Sequence, residues 1–334
     1  MNWDSREGWG PSHRPVLLEE TVSLLVTGPG VYVDCTAGGG GHLALLAARA
    51  GAGSRLIAID RDCAVLARTR EQLQASLPQV MFVHGNFRDL GQILERAGVK
   101  EVQGVLMDLG VSSFQLDDAA RGFSYRADAP LDMRMDTSQA TSAADLVNRL
   151  SEQELSRILW EYGEERYARR IARSIVAMRQ REPIVSTGQL VEAIRRALPA
   201  GQREGKHPAR RSFQALRIAV NEELESLRAG LEAAVEVLAA GGRLAVISFH
   251  SLEDRMVKAF FAREAKGCLC PPELPVCVCG HRARLRVLTR RPVTPTPQEV
   301  AENPRARSAR LRVAEKLAVY STNGGGTGCR QPGI

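Results

Sequence analysis

Residues 31–43 read Val31-Tyr32-Val33-Asp34-Cys35-Thr36-Ala37-Gly38-Gly39-Gly40-Gly41-His42-Leu43. A β-branched and aromatic run leads into four glycines and then into a helix-forming stretch, 42–50. Strand, Gly-rich turn and helix start, in that order, make the first unit of a parallel α/β sheet. The glycines let backbone approach a ligand closely, and the helix start offers N–H groups that no helical carbonyl satisfies. Gly39, Gly41 and Ala44 also fit the dinucleotide fingerprint, so a nicotinamide enzyme is one reading of this stretch. Asp60, ending the next strand, can accept both ribose hydroxyls, a feature of nicotinamide and S-adenosylmethionine sites alike. By itself the region specifies an adenosine-containing cofactor.

Outward from this turn, strand and helix patterns alternate through residue 110. Strands are expected at 31–35, 55–59, 80–84 and 104–108, and helices at 42–50, 61–77 (ended by Pro78) and 90–97. The rhythm stops after Asp108. Residues 112–212 carry helix patterns at 143–148, 152–160, 165–179 and 187–198 and no strand pattern, and Ser151-Glu152-Gln153-Glu154 fits a capping box. The sheet pattern then resumes with one long helix, 212–239, a strand at 243–249, a short helix at 252–263, and strands near 285–289 and 308–313. A helical insertion within an α/β domain is the simplest account. It assigns residues 1–112 and 213–320 to a cofactor-binding domain in two parts, residues 113–212 to the insertion, and 321–334 to a flexible tail. Residues 1–10 are expected to be loose as well.

At 334 residues, 44% hydrophobic and 25% charged, the chain is long enough for a large core and too apolar for wholesale disorder. Its apolar runs fall far short of the roughly 20 residues that span a bilayer. The start, Met1-Asn2-Trp3-Asp4-Ser5-Arg6-Glu7, does not read as a signal peptide, so a cytoplasmic protein with no membrane partner is expected. The formal charge of +7 is unevenly spread: residues 165–220 hold 13 basic and 4 acidic side chains, and residues 282–316 hold 10 and 3. Two clustered excesses favour a nucleic-acid partner over a small metabolite, with a solvated helix face as the plain alternative for the first.

Three positions bear on the choice of cofactor. Asp34 precedes the turn where a dinucleotide enzyme would bring pyrophosphate, and a carboxylate there suits a cationic methionine group instead. Phe87, after the third strand, can pack on an adenine ring or fill the core. Asp108 ends the fourth strand, at the carboxyl edge where open α/β sheets bind ligands, and opens a Gly/Ser loop rather than a helix.

Four segments then resemble one family: Asp108-Leu109-Gly110-Val111-Ser112-Ser113-Phe114-Gln115-Leu116-Asp117; Arg121-Gly122-Phe123-Ser124 with Pro130-Leu131-Asp132-Met133-Arg134-Met135; Ser248-Phe249-His250-Ser251-Leu252-Glu253-Asp254-Arg255; and Asn303-Pro304-Arg305-Ala306-Arg307-Ser308. They are similar to those of the MraW family, also called RsmH, and the likeness covers about residues 12–317. The resemblance implies a Rossmann-like class I methyltransferase sheet with an inserted all-helical domain that recognises substrate. It implies S-adenosyl-L-methionine as cofactor and methylation of the N4 amino group of a cytidine in the decoding region of 16S rRNA, in the small ribosomal subunit. It also implies cofactor contacts at Gly40, Gly41, His42, Asp60, Phe87, Asp108 and Gln115. A methyltransferase of DNA or transfer RNA, or a cofactor-sensing RNA-binding protein without turnover, are the other classes open. Oligomeric state is not legible.

Amino-methyltransferases often carry an (Asp/Asn/Ser)-Pro-Pro-(Tyr/Phe) clamp after the fourth strand, and Asp108-Leu109-Gly110-Val111 stands here instead. Asp108 is therefore expected to contact the cofactor and, through its side chain or the carbonyls after it, to face the amine. His250 is the second catalytic candidate, for contact with a flipped-out base or for proton removal, with a structural histidine at a helix start as the equal alternative. Phe123 and Phe249 offer stacking faces or core. The basic runs Lys206-His207-Pro208-Ala209-Arg210-Arg211 and Asn303-Pro304-Arg305-Ala306-Arg307 suit phosphate. Of seven cysteines, Cys35, Cys63 and Cys329 stand alone and Cys268, Cys270, Cys277 and Cys279 crowd together. Their C-x-C pairs are tighter than the usual C-x₂₋₄-C, so no metal ligand is assigned; a structural zinc knot and a reduced or redox-labile loop both fit.

Overall fold

The computed structural model describes residues 15–77, 79–199, 207–274 and 276–318. The expected tails at 1–10 and 321–334, together with Pro78, Lys206 and Cys329, lie outside the described residues. Strands β1 (Val31–Asp34), β2 (Arg55–Asp60), β3 (Val80–His84), β4 (Val102–Asp108) and β5 (Leu238–Ser248) pair in parallel, and β7 (Arg310–Lys316) runs antiparallel between β5 and β6 (Leu285–Val287). The order β3-β2-β1-β4-β5-β7-β6, with its single reversed strand, is the class I methyltransferase sheet. Because the strand order turns back between β1 and β4, a crevice opens above their carboxyl ends.

Helices cover both faces, which is why the central strands read as nearly continuous apolar runs. Along β4, Val105 and Met107 point to one face and Leu106 to the other, and two separate cores result. The first joins Val33, Ile57 and Val246 to α4 (Leu90–Arg96), α11 (Glu223–Val237) and α12 (Ser251–Glu264). The second joins Tyr32, Leu56 and Ile247 to α1 (Leu18–Leu25), a helix the sequence pattern does not announce, and to α2 (Gly41–Ala50) and α3 (Cys63–Leu73). A third core, from Phe123 to Val220, belongs to the helices between β4 and α11. These are α6 (Ala143–Arg149), α7 (Glu152–Glu161), α8 (Ala168–Arg179), α9 (Thr187–Ala197) and α10 (Arg210–Asn221), preceded by short α5 (Ser113–Asp117). The Ser151 capping box is formed, with Ser151 Oγ accepting from Glu154 N at 3.2 Å and Glu154 Oε2 from Ser151 N at 2.8 Å.

The single long helix expected over 212–239 is two helices. The chain breaks at Glu222, in the left-handed region at φ 48°. No glycine or proline marks the spot; the break comes from tertiary contacts of Asn221. Its buried Nδ2 donates to Met133 O at 2.7 Å and its Oδ1 accepts from Met135 N at 2.7 Å, while its own carbonyl accepts from Arg61 at 2.7 Å. Met133 is itself left-handed, at φ 61°. Two strained residues are thus held by one asparagine where the helical unit meets the sheet.

Candidate active site

The four glycines wrap the top of β1. Gly40 caps α2 at φ 81°, and a Cβ on it would fall 2.5 Å from Leu73 Cδ1; a Cβ on Gly41 would fall 2.1 Å from Pro15. Neither position has room for a side chain, and Gly40 has the wrong backbone for one. The turn walls a cleft of about 1120 Å³ that opens above β1 and β4. Segments 108–117, 123–127, 249–253 and 302–307 all contribute to its lining, so the four motifs, far apart in sequence, meet in one place.

Of the expected cofactor residues, Gly40, Gly41, His42, Asp60, Phe87, Asp108 and Gln115 all line this cleft. Asp60 ends β2; its Oδ2 accepts from Gly38 N and its Oδ1 from Asp62 N, both at 2.9 Å. Burial pushes its carboxyl up to about 6, against the pull of those two N–H groups. Phe87 lines the cleft and also packs on Gly230 of α11. Asp34 lies beneath the floor: it is 1% exposed, accepts from Thr36 N at 3.1 Å, and is raised to about 7 by burial.

Asp108 is the most exceptional group. Its side chain keeps 25% of its surface open, yet Oδ1 is sealed and has no hydrogen-bond partner among the described residues. Burial raises its carboxyl well above the usual range, and the charges of Asp34 and Glu253 add to this. Oδ2 lies 3.6 Å from His42 Nδ1. His42 Nε2 is 3.2 Å from Val16 O, which can only accept, so the ring proton sits on Nε2 and Nδ1 presents its lone pair to Asp108. Burial lowers His42 to about 4, keeping the ring neutral. Thr36 Oγ1 accepts from Asp108 N at 2.7 Å and fixes the strand end to the glycine turn.

Gln115 is buried in a capping box with Ser112 and donates from Nε2 to Asp62 Oδ2 at 2.8 Å; Arg121 reaches the same oxygen at 2.8 Å. Asp62, which also caps α3 through Ala64 N and Val65 N, escapes the sequence reading because that reading starts the helix at Arg61. The signal that could have found it is an aspartate directly before the first apolar-periodic residue. The half-buried pair Arg217–Glu223, joined at 2.8 Å through two guanidinium nitrogens, lines the cleft and escapes the sequence reading too; six residues apart across a helix break, the pair follows no helical spacing.

His250 is placed elsewhere than the cleft lining. It caps α12, accepting from Glu253 N at 3.4 Å, and its Nε2 lies 3.1 Å from Glu253 Oε1, close enough for an ion pair but not aligned for a hydrogen bond. Glu253 holds the preceding loop through Phe249 N at 2.8 Å. Asp254 pairs with Arg310 and Arg312 of β7, each at 2.7 Å, and Arg255 and Ser251 both reach Glu164 of the helical unit. Phe123 and Phe249 face the cleft from opposite sides, and each also packs in a core. His207 stacks on Tyr125 at 4.3 Å, and Arg210, Arg305 and Arg307 line the cleft mouth.

The chain matches the MraW methylase family over residues 11–317. It is 54% identical over 308 residues to ribosomal RNA small subunit methyltransferase H of Heliobacterium mobile, covering 91% of this chain and 99% of that protein. It is 57% identical over 308 residues to the protein of the same name from Geobacter sulfurreducens, covering 92% and 99%. Among solved structures it is similar to an rRNA methylase from Streptococcus thermophilus, at 11% identity and a TM-score of 0.38, over 89% of this chain and 92% of that one. With the class I sheet, the glycine turn and the four converging segments in place, the match over nearly the whole chain means that this protein belongs to the MraW methylase family.

Proposed function

We propose that the protein uses S-adenosyl-L-methionine to methylate the N4 amino group of one cytidine in 16S rRNA, with the small ribosomal subunit as its partner. The observation that carries this reading is the convergence of Gly40, Gly41, Asp60, Phe87, Asp108 and Gln115 on one cleft above the carboxyl ends of β1 and β4. S-adenosylmethionine supplies a methyl group on a cationic sulfonium. The turn at Gly40 and Gly41 would lie against its polar part, Asp60 would use its remaining lone pairs on the ribose, and Phe87 would face the adenine. Gln115, through Asp62, holds the loop that closes this side.

The nucleophile's lone pair is delocalised into the cytosine ring, so an acceptor has to draw on the amine hydrogens. Asp108 in its ionised form would meet that need: burial makes its carboxyl hold a proton more firmly than an exposed one, and that proton would come from the nitrogen as its bond to the methyl carbon forms and the carbon–sulfur bond breaks. His42 stays neutral, and its Nδ1 lone pair would accept from the carboxyl once Asp108 is protonated. Of the two roles open to His250, the contacts support capping and support of the 249–253 loop. Residues 113–212, with the arginines at the cleft mouth, are the part that would hold RNA, guanidinium groups being matched to phosphate. Labelled methyl incorporation into purified small subunits, followed by nucleoside analysis, tests the reading. N4-methylcytidine at one site is expected; label in DNA or transfer RNA instead, or cofactor binding without any transfer, would overturn it.

A further inference from the structure

The connection from α12 to β6 stands apart from the cleft. α12 starts beside the cleft at Ser251 and runs 14 residues to Glu264, about 20 Å at 1.5 Å per residue, so the connection lies beyond the helix's far end. There Cys268, Cys270, Cys277 and Cys279 converge, every Sγ within 4.8 Å of the others. Cys268 Sγ is 3.3 Å from that of Cys277 and 3.7 Å from that of Cys279; Cys277 is 3.6 Å from Cys279 and 4.0 Å from Cys270. These separations are far beyond the roughly 2.05 Å of a disulfide. They match the edge of a tetrahedron of sulfurs about 2.3 Å from a central zinc, about 3.8 Å.

Two further observations point the same way. The N–H groups of Leu269 and His281 aim at Cys279 Sγ, that of Cys270 at Cys268 Sγ and that of Val278 at Cys270 Sγ, all at 3.3–3.5 Å. Donors arranged around sulfur favour thiolates and tune a bound metal. The apolar residues of this connection, Leu269, Leu274, Val276 and Val278, are 42–78% exposed, so no hydrophobic core of its own gathers the four thiols. His281 is engaged elsewhere, its Nε2 3.1 Å from Arg263 O.

We propose that Cys268, Cys270, Cys277 and Cys279 bind one zinc ion, as a structural tetrathiolate site that staples the α12–β6 connection. The C-x-C spacing, tighter than common zinc motifs, is accommodated because each pair comes from a separate limb of the loop.

Elemental analysis of the full-length protein, purified without chelator, is expected to give one zinc per chain. The four thiols should resist alkylation until the metal is displaced, and then react with release of one zinc. Cys268→Ser with Cys277→Ser should lower the zinc content at least ten-fold, whereas Cys63→Ser, an exposed thiol remote from the cluster, should leave it unchanged. Cobalt exchanged into the parent chain reads the site without any substitution and should give the intense visible bands of a tetrahedral tetrathiolate. Zinc below a tenth of an ion per chain with no such cobalt spectrum, disulfides among the four cysteines in the native protein, or a coloured iron centre in place of zinc would each overturn the proposal.

Discussion

At the floor of the cleft and just beneath it, Asp60, Asp108 and the buried Asp34 end three neighbouring strands, and burial raises all three carboxyls. At the mouth, Arg305 sits 2.5 Å from Asp117, and exposed Arg210 and Arg307 have no ion pair among the described residues. The floor holds acids that burial makes harder to ionise than ordinary carboxyls, so its charge answers to what enters. The mouth holds guanidinium groups that stay charged at any working pH and are matched to phosphate. Two ligands of opposite charge can thus approach one cleft from two directions: a cation toward the strand ends and a polyanion along the rim.

The largest expected effect lies at the floor. Asp34 has a folded-state value near 7 against an ordinary 3.8, so folding favours its protonated form. Its contribution is intact below about pH 4 and is lost as pH rises through 7. Asp34→Asn should therefore be more stable than the parent at pH 8 by about 4 kcal/mol, at 1.36 kcal/mol per unit, and equal to it near pH 4. Denaturant titrations across that range check this; a gap that does not change with pH would remove Asp34 from the floor's titrating set. Asp108→Asn keeps the shape of the site but not the base, and kcat should drop 100-fold or more with cofactor affinity within about three-fold. Full turnover with normal cofactor binding would leave the floor without a catalytic role. Gly40→Ala, which forces a Cβ onto Leu73 at a left-handed backbone, should cost about 2 kcal/mol and weaken cofactor binding at least ten-fold by calorimetry. The smallest effect belongs to the rim. Arg210→Gln with Arg307→Gln should weaken RNA binding and reduce the slope of log affinity against log salt by about 2, leaving cofactor affinity untouched. Arg286→Gln, whose guanidinium already pairs with Glu315 at 2.6 Å, should leave that slope as it is.

This contrast also marks what the sequence could tell. The floor is written in local order: strand, glycines, helix, then an acid at the next strand end, and the glycines, the helix start at His42 and the acid Asp60 line the cleft. The rim is not. The two basic stretches look alike by count, yet Arg284, Arg286, Arg310 and Arg312 of the second are bound to Glu264 and Asp254 of α12 and to Glu315 of β7, contacts between elements that no spacing announces. The break at Glu222 is hidden for the same reason: its cause, Asn221 bonded to Met133 and Met135, comes from almost ninety positions away. His250 illustrates a third case. A histidine suits both catalysis and capping, and only the direction of its ring, toward Glu253, separates them.

The pairing of Val102 with Leu238 has a bearing on how the chain reaches this state. β4 must wait for β5 across the whole helical unit, and a flexible connection of that length slows the search for partner strands while β4 stands as an open edge. The unit has its own core between Phe123 and Val220, so it can condense first and bring the two strands together as ends of a compact body. Mutations that loosen that core should then slow refolding by nearly the full factor of stability lost and leave unfolding almost unchanged, a kinetic signature of an insertion that acts as a nucleus for the domain it interrupts.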